Sequence, residues 1–494
     1  MRNTIWKLGL ILSLVTALAC SKKDEGQPAP APGAPGAAAA TPTPGAAATP
    51  TAPGTEEGPA TPGTETPGTE TPGTTAEPPK PAAQVLVEFP ALENPPEAGP
   101  VYFIVNRTGV VKVDDGKFVA LQAPEKNFKE LVLGGDGKVY AAGYRAIYRV
   151  EGEALVKVPG SKDVDHLVVG ADGQIWTVSF RHITHFDGAG WTTEEKSVLG
   201  ADVTLLKGVA LDGNNRPWIV SANAVHVRDG ETWKTEDLSG LGKDKFFFDG
   251  VMPGPEGAMY AVAGEDLLKW KDGKWELLAL ADEGEFLGSG AKVALGAGGR
   301  LCVAFNLGAL GCLLPDGRRV RKDWKEEGAG NMLKGLALDG AGRVWIASEA
   351  GLEVLVPGGA STKWAPGTIP EAPGDIEDIV ALGGGPVLPA VGEQRTGTVH
   401  GTITTKTGQP IAGKKMEICA SPATMFQETP CTGAPFVATA TTTDQGEFTF
   451  ENVPIGSYGF SIEMDGKWSV SFMEDCCERM QPGQVYEAGS FELD

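Results

Sequence analysis

From about Val85 to the C-terminus, apolar residues come in short runs of four to six, each broken by a Gly-rich polar turn. Runs of that length between turn residues predict β-strands rather than helices. The runs also recur in register. One unit reads Leu336-Ala-Leu-Asp-Gly-Ala-Gly-Arg-Val-Trp345-Ile-Ala-Ser, then Gly351-Leu-Glu-Val-Leu-Val, then Thr362-Lys-Trp364. Another reads Val209-Ala-Leu-Asp-Gly-Asn-Asn-Arg-Pro-Trp218-Ile-Val-Ser, then Ala224-Val-His-Val-Arg-Asp-Gly230, then Thr232-Trp233. The position after the first turn of each unit falls at Tyr140, Trp176, Trp218, Tyr260, Cys302, Trp345 and Leu388, at intervals of 36, 42, 42, 42, 43 and 43 residues. Four short strands per unit at that period predict the blades of a β-propeller. Six complete units start near Leu131, Leu167, Val209, Val251, Val293 and Leu336. Ile376-Glu-Asp-Ile-Val-Ala-Leu-Gly begins a seventh, which runs out after Val391. Its missing outer strands are expected at the front, in Val101-Tyr-Phe-Ile-Val and Thr108-Gly-Val-Val-Lys-Val. Joining both ends in one blade leaves no sheet edge exposed. Seven blades is therefore the reading, with eight as the runner-up.

Two other patterns precede the propeller. Arg2 and Lys7 are followed by an apolar run from Leu8 to Ala19. Twelve residues make roughly 18 Å of helix, short of the ~30 Å core of a bilayer, so the run reads as a secretory signal. Residues 21–84 hold 15 Pro and 9 Gly, with no aromatic residue and no Val, Ile, Leu or Met. A five-residue repeat runs through them, Thr61-Pro-Gly-Thr-Glu, Thr66-Pro-Gly-Thr-Glu and Thr71-Pro-Gly-Thr-Thr. With nothing apolar to bury, the stretch cannot offset its ordering entropy and is expected to be a disordered, extended tether.

The break Ala17-Leu18-Ala19-Cys20 resembles the lipobox of bacterial lipoproteins, with Ala17 in place of that family's preferred Leu. The resemblance implies cleavage before Cys20 and lipidation, palmitate included, of its side chain. Ser21 after the cysteine resembles outer-membrane sorting in that family. The repeat units of residues 100–391 resemble two-component-regulator propeller repeats and those of virginiamycin B lyase-like propellers. Such repeats imply fold better than function. Beyond Arg395, four elements follow in order: Thr398-Val-His-Gly-Thr-Ile, Gly408-Gln-Pro-Ile-Ala-Gly413, Thr443-Asp-Gln-Gly-Glu-Phe-Thr-Phe450 and Val453-Pro-Ile-Gly-Ser-Tyr-Gly-Phe460. They resemble the carboxypeptidase regulatory-like domain, a transthyretin-like β-sandwich that is not itself a peptidase. The expected organisation is signal 1–19, lipidated tether 20–84, propeller 85–395 and sandwich 396–494.

Composition narrows the function. The formal charge is −22, about −24 once the signal is removed, which excludes nucleic acid as the main partner. Asp136-Gly137, Asp172-Gly173, Asp212-Gly213 and Asp339-Gly340 recur in register. One carboxylate per blade cannot supply the six to eight oxygens of a calcium site, so these read as hairpin turns. The nine Trp from Trp176 to Trp364 recur at blade period and read as packing between sheets. Histidines are few: His166, His182, His185, His226 and His400. His182 and His185 are three apart on one strand and hence on opposite faces, a poor chelating pair. The lyase-like resemblance implies a metal-assisted elimination by His and Glu, but no Glu-x-x-His occurs, the nearest form being Asp163-Val-Asp-His166. No catalytic residue, metal site or cofactor is assigned.

Cys20 aside, six cysteines remain, an even number suited to an oxidising compartment. Cys302 and Cys312 flank the turn Asn306-Leu-Gly308 and are expected to bond across a hairpin. Cys419, Cys431, Cys476 and Cys477 form a second framework, the preferred pairing joining each of Cys476 and Cys477 to one of Cys419 and Cys431. The whole reads as an outer-membrane lipoprotein presenting a non-enzymatic propeller to an envelope protein or glycan. The alternatives are a propeller lyase or hydrolase with acid–base residues in its channel, and a surface adhesin or carbohydrate-binding protein.

Overall fold

A computed structural model describes residues 96–494, apart from 244, 279, 281–286, 289, 325–331, 359, 421, 423–427, 473–475 and 494. The signal, Cys20 and the tether lie outside the described residues. Those described belong to one compact unit, Pro78–Asp494.

Seven four-stranded antiparallel sheets make the propeller. Blades 2 to 7 are each continuous in sequence, at residues 128–157, 166–195, 206–235, 248–278, 290–323 and 333–364. Blade 1 is shared between the chain ends. Its inner strand Ile376–Ala381 pairs with Val101–Val105, and Gly109–Asp114 and Lys117–Ala120 complete it. The seven-blade closure holds and the eight-blade alternative does not. One detail differs: the front supplies three strands, and Leu388 lies in none.

The aromatic repeat is core. Trp218, Trp324, Trp345 and Trp364 are all under 2 % exposed, and burial of side chains this size contributes roughly 2–3 kcal/mol or more each. The Asp-Gly turns are turns, with an added role for the carboxylate. In blade 7, Asp339 accepts from the backbone N–H of Ala341 and Arg343, from Arg343 Nε at 2.6 Å and from Trp345 Nε1 at 2.8 Å. Asp212 does the same in blade 4 with Asn214, Arg216 and Trp218. Each aspartate thus ties its turn to the buried indole of the next strand. This explains the recurring Asp-x-x-x-Arg-x-Trp spacing.

Six of the seven inner strands carry a β-bulge at the same place. Register slips across Lys129, Lys207, Asp249, Ala291, Lys334 and Glu377. A bulge inserts one unpaired residue and turns consecutive side chains toward one side. Of the inserted residues Lys207 and Asp249 line the central cavity, and five of the six are charged.

Beyond Arg395 two sheets face one another. One holds Glu447–Pro454, Thr396–Thr405 and Val485–Leu493; the other holds Ala438–Thr441, Lys415–Cys419, Gly459–Met464 and Lys467–Phe472. Phe448, Phe450 and Phe460 fill the space between. The sandwich joins the propeller beside blade 7. Arg395 donates to the carbonyls of Gly367 and Ile369, and Ile455 N–H donates to that of Arg395.

Cys302 and Cys312 are bonded directly across neighbouring strands of blade 6, with Cα atoms 4.1 Å apart. Replacing both by Ala is expected to lower stability by roughly 2–3 kcal/mol, read as a lower urea midpoint. The preferred pairing in the sandwich is corrected. Cys419 bonds Cys431, and Cys476 bonds its neighbour Cys477. Both bonds are local because Cys431 lies in the excursion that leaves the strand ending at Cys419 and returns at Ala438. Cys476 and Cys477 instead share one buried turn.

Candidate functional site

The inner strands all start at one mouth of the channel and end at the other, where the Asp-Gly turns lie. Charged side chains gather at the starting mouth because the bulges do. Glu130, His166, Lys207, Asp249 and Lys292 line a cavity of about 170 Å³ there. Its wall is uneven. Beside Lys207 and Asp249 stand Gly208 and Gly250, and a methyl group added at Gly250 would meet nothing within 4 Å. That side is open, whereas Glu130, His166, Lys292 and Asp378 fill the other.

The filled side is a chain of ion pairs. Lys292 Nζ reaches Asp378 Oδ1 at 2.8 Å, passing the inner strand of blade 7 where Gly335 presents no side chain. His166 Nδ1 lies 3.2 Å from Glu130 Oε1. The second oxygens are committed to the fold: Glu130 Oε2 accepts Leu167 N–H at 2.9 Å and Asp378 Oδ2 accepts Leu131 N–H at 2.8 Å. Each carboxylate therefore bonds the backbone of the next blade. Two further lysines flank the mouth, Lys334 paired with Asp375 at 2.7 Å and Lys129 with Asp163 and Asp165 at 2.7 and 2.8 Å. Lys207 and Asp249 form no ion pair among the described residues; Asp249 accepts only Gly264 N–H, at 3.3 Å.

Electrostatics follow this geometry. Burial alone would push the His166 imidazolium down, but the facing Glu130 outweighs it and holds the pKa above the ordinary value. Crowding by the channel wall pushes the Asp249 carboxyl up, against the Gly264 hydrogen bond and Lys207. Burial likewise raises Glu377, against Lys334. Among the groups named above, four lysines face seven carboxylates, and farther out Arg181 and Lys196 stand over the Phe180 ring.

Of the histidines singled out in the sequence, only His166 reaches the channel. His182 pairs with Glu195 at 3.2 Å on an outer strand, and His185 stacks on Trp176 with centroids 4.0 Å apart. His400 lies on the sandwich beside Glu487 at 2.9 Å. His226 is enclosed between Ser221 and Thr235, and burial pushes it down to about 4. The unfolded chain takes up that proton near 6.5, so stability is lost as pH falls from 6.5 toward 4. The loss between pH 7 and pH 5 should be about 2 kcal/mol. Urea midpoints at the two pH values should converge in His226→Gln. His166 has the opposite sign: its contribution is present below the ordinary histidine pKa and fades as pH rises through the raised value.

Sequence reasoning passed over Glu130, Lys207, Asp249, Lys292, Lys334, Glu377 and Asp378. A signal was present. Phe128-Lys-Glu-Leu-Val-Leu, Leu206-Lys-Gly-Val-Ala-Leu, Phe248-Asp-Gly-Val-Met and Leu333-Lys-Gly-Leu-Ala-Leu each place a charge one residue into an apolar run, at blade period. Among the described residues no group of three or more His, Cys, Asp or Glu is placed to hold a metal ion, and no helix is long and apolar enough to cross a membrane.

No protein-family model matches this chain, and no curated protein matches it. Solved structures similar to it include a streptogramin B lyase, at 16% identity and a TM-score of 0.42, covering 54% of this chain and 95% of that one. Another is a catalytically inactive virginiamycin B lyase from Staphylococcus aureus with quinupristin, at 14% identity and a TM-score of 0.41, covering 54% and 96%. A third is the extracellular domain of the putative hybrid two-component system BT3049 from B. thetaiotaomicron, at 12% identity and a TM-score of 0.43, covering 82% of this chain and 56% of that one. With TM-scores below 0.5 these likenesses add nothing to the propeller fold already given by the sheet pairings, and nothing about function.

Proposed function

We propose that this chain is a bacterial outer-membrane lipoprotein, anchored by lipid at Cys20, whose propeller is a non-enzymatic binding module for an envelope protein or glycan. The observation that carries the reading is where the chain joins the ring. Pro96–Pro100 packs at the mouth opposite the charged one: Gly384 N–H donates to Glu97 O, Gly99 N–H to Gly385 O and Leu382 N–H to Pro100 O. The described chain therefore enters the ring at the mouth away from the charged one, without crossing it. The commitment of Glu130 and Asp378 to backbone N–H groups supports binding over proton transfer. The four strand-and-turn elements of the sandwich support a carboxypeptidase regulatory-like module that flanks the binding face.

Two measurements test the reading. Cys20→Ala should abolish lipid labelling and move the protein from membranes to the soluble fraction; full membrane retention would refute the anchor. Photo-crosslinking residues placed singly around each mouth, in intact cells, should capture partners at the charged mouth. Equal capture at both mouths would refute the binding face. The 3.2 Å His166–Glu130 contact favours a second reading, acid–base lyase or hydrolase chemistry in the channel. Mass spectrometry of envelope extracts incubated with wild-type and His166→Gln protein separates the two, because only chemistry produces a wild-type-specific mass change.

A further inference from the structure

The charged mouth is rimmed by exposed apolar side chains. Tyr144 and Phe180 stand in the turns between the second and third strands of blades 2 and 3, and Leu307 in that of blade 6. Phe247 and Met332 immediately precede the inner strands of blades 5 and 7. All five are between 44% and 68% exposed. Lys129 Nζ lies 4.8 Å from the Tyr144 ring centroid, which fixes Tyr144 beside the channel entrance. The rest of the rim, by blades 7 and 1, meets the sandwich: Ser348, Gly374 and Asp375 share a crevice with Phe436 and Tyr458. By contrast, the opposite mouth exposes only Leu133 and Val387 among the described large apolar residues.

Resting on the binding reading above, we propose that the mouth takes a polypeptide segment, with a Lys or Arg side chain inserted beside Asp249 and apolar neighbours seated on the rim. Three observations select this occupant. The groups named around the channel include more carboxylates than lysines, and among the described residues Asp249 is without an ion-pair partner, so the inserted group is cationic. Its carboxylates do not converge as metal ligands, which makes the cation an organic one on a stem long enough to pass the rim. Finally, exposed rings and aliphatic chains around a polar centre match a chain whose side chains alternate in chemistry, as a peptide's do. Lys207, on the neighbouring blade and without an ion-pair partner among the described residues, is positioned to donate to a peptide carbonyl. A second copy of this chain fits poorly, because each carries a net charge of −22. The raised Asp249 carboxyl adds support, since an arriving cation would stabilise its ionised form.

The test uses the purified mature protein and a bead library of acetylated hexapeptide amides. Retained peptides should be enriched in Lys or Arg at one position with Leu, Phe or Trp beside it. Fluorescence polarisation on an enriched peptide should then show affinity falling at least tenfold when norleucine replaces the basic residue. Asp249→Asn should weaken the basic peptide at least tenfold and leave the norleucine peptide unchanged. Phe180→Ser with Phe247→Ser should weaken both. Enrichment without a basic residue, or an Asp249→Asn protein that binds as the wild type does, would overturn the proposal. So would a library with nothing retained while crosslinks still concentrate at the charged mouth, a result that leaves the binding reading standing. Crosslinks spread equally over both mouths would remove that reading as well.

Discussion

Asp378→Ala is expected to cost the propeller about 3–5 kcal/mol, among the largest effects of any single substitution in this chain. The residue is 5% exposed and sits on the strand that closes the ring. One oxygen accepts Leu131 N–H of blade 2, and the other holds Lys292 of blade 6. Alanine leaves a buried backbone donor without its acceptor and a lysine without its counter-charge. Both costs fall on the junction where the two chain ends meet. Asp378→Asn keeps the acceptor for Leu131 but removes the charge, so its loss should be intermediate. Urea unfolding of the three proteins at pH 7 orders them, and an unchanged midpoint for Asp378→Ala would show that strand pairing alone holds the ring.

The second large effect is expected at Asp339, again about 3–5 kcal/mol on replacement by Ala. Its carboxylate has no solvent exposure and gathers two backbone N–H groups, Arg343 and the indole of Trp345. The equivalent aspartate of blade 2 is a natural control. Asp136 accepts Lys138 N–H and the Tyr140 hydroxyl, and its residue is partly exposed. Asp136→Ala should cost about 1 kcal/mol. Similar losses at the two sites would mean that the turn, not the buried indole, sets the cost. Asp212 adds a pH signature to the same motif. Burial would raise its carboxyl, yet the bonds from Arg216, Trp218 and Asn214 outweigh burial and hold it below the ordinary range. Its contribution is therefore present above the unfolded aspartate pKa and is lost as pH falls through the depressed value.

The blade count and its closure were legible because turn and core residues both repeat. Asp212 and Asp339, Trp218 and Trp345 each occupy one structural role, and a fixed role at a fixed period is what a sequence displays best. Cys302 and Cys312 were legible because the turn between them sets which residues face each other. The channel was not, because a bulge breaks the two-residue alternation by which strand faces are read. Lys129 or Asp249 looks like a solvated charge at a strand start until its register slip is known. The Lys292–Asp378 pair was beyond reach for a different reason. It links blades 6 and 1 across the inner strand of blade 7, and only Gly335 hints at the passage. Pairing in the sandwich failed because distance along the chain did not reveal that Cys419 and Cys431 meet within one excursion.

Blade 1 also constrains how the protein is made. Val101 pairs with Ala381, so the first described strand to be synthesised waits for a partner some 280 residues behind it. Until then Val101–Val105 presents an apolar strand with one unsatisfied edge. Closing so long a loop is slow compared with local hairpin formation, and the six later blades can form first. Completion of the ring is thus tied to arrival of nearly the whole chain, and any pause in synthesis before Ile376 holds the molecule in a form with an open, aggregation-prone edge.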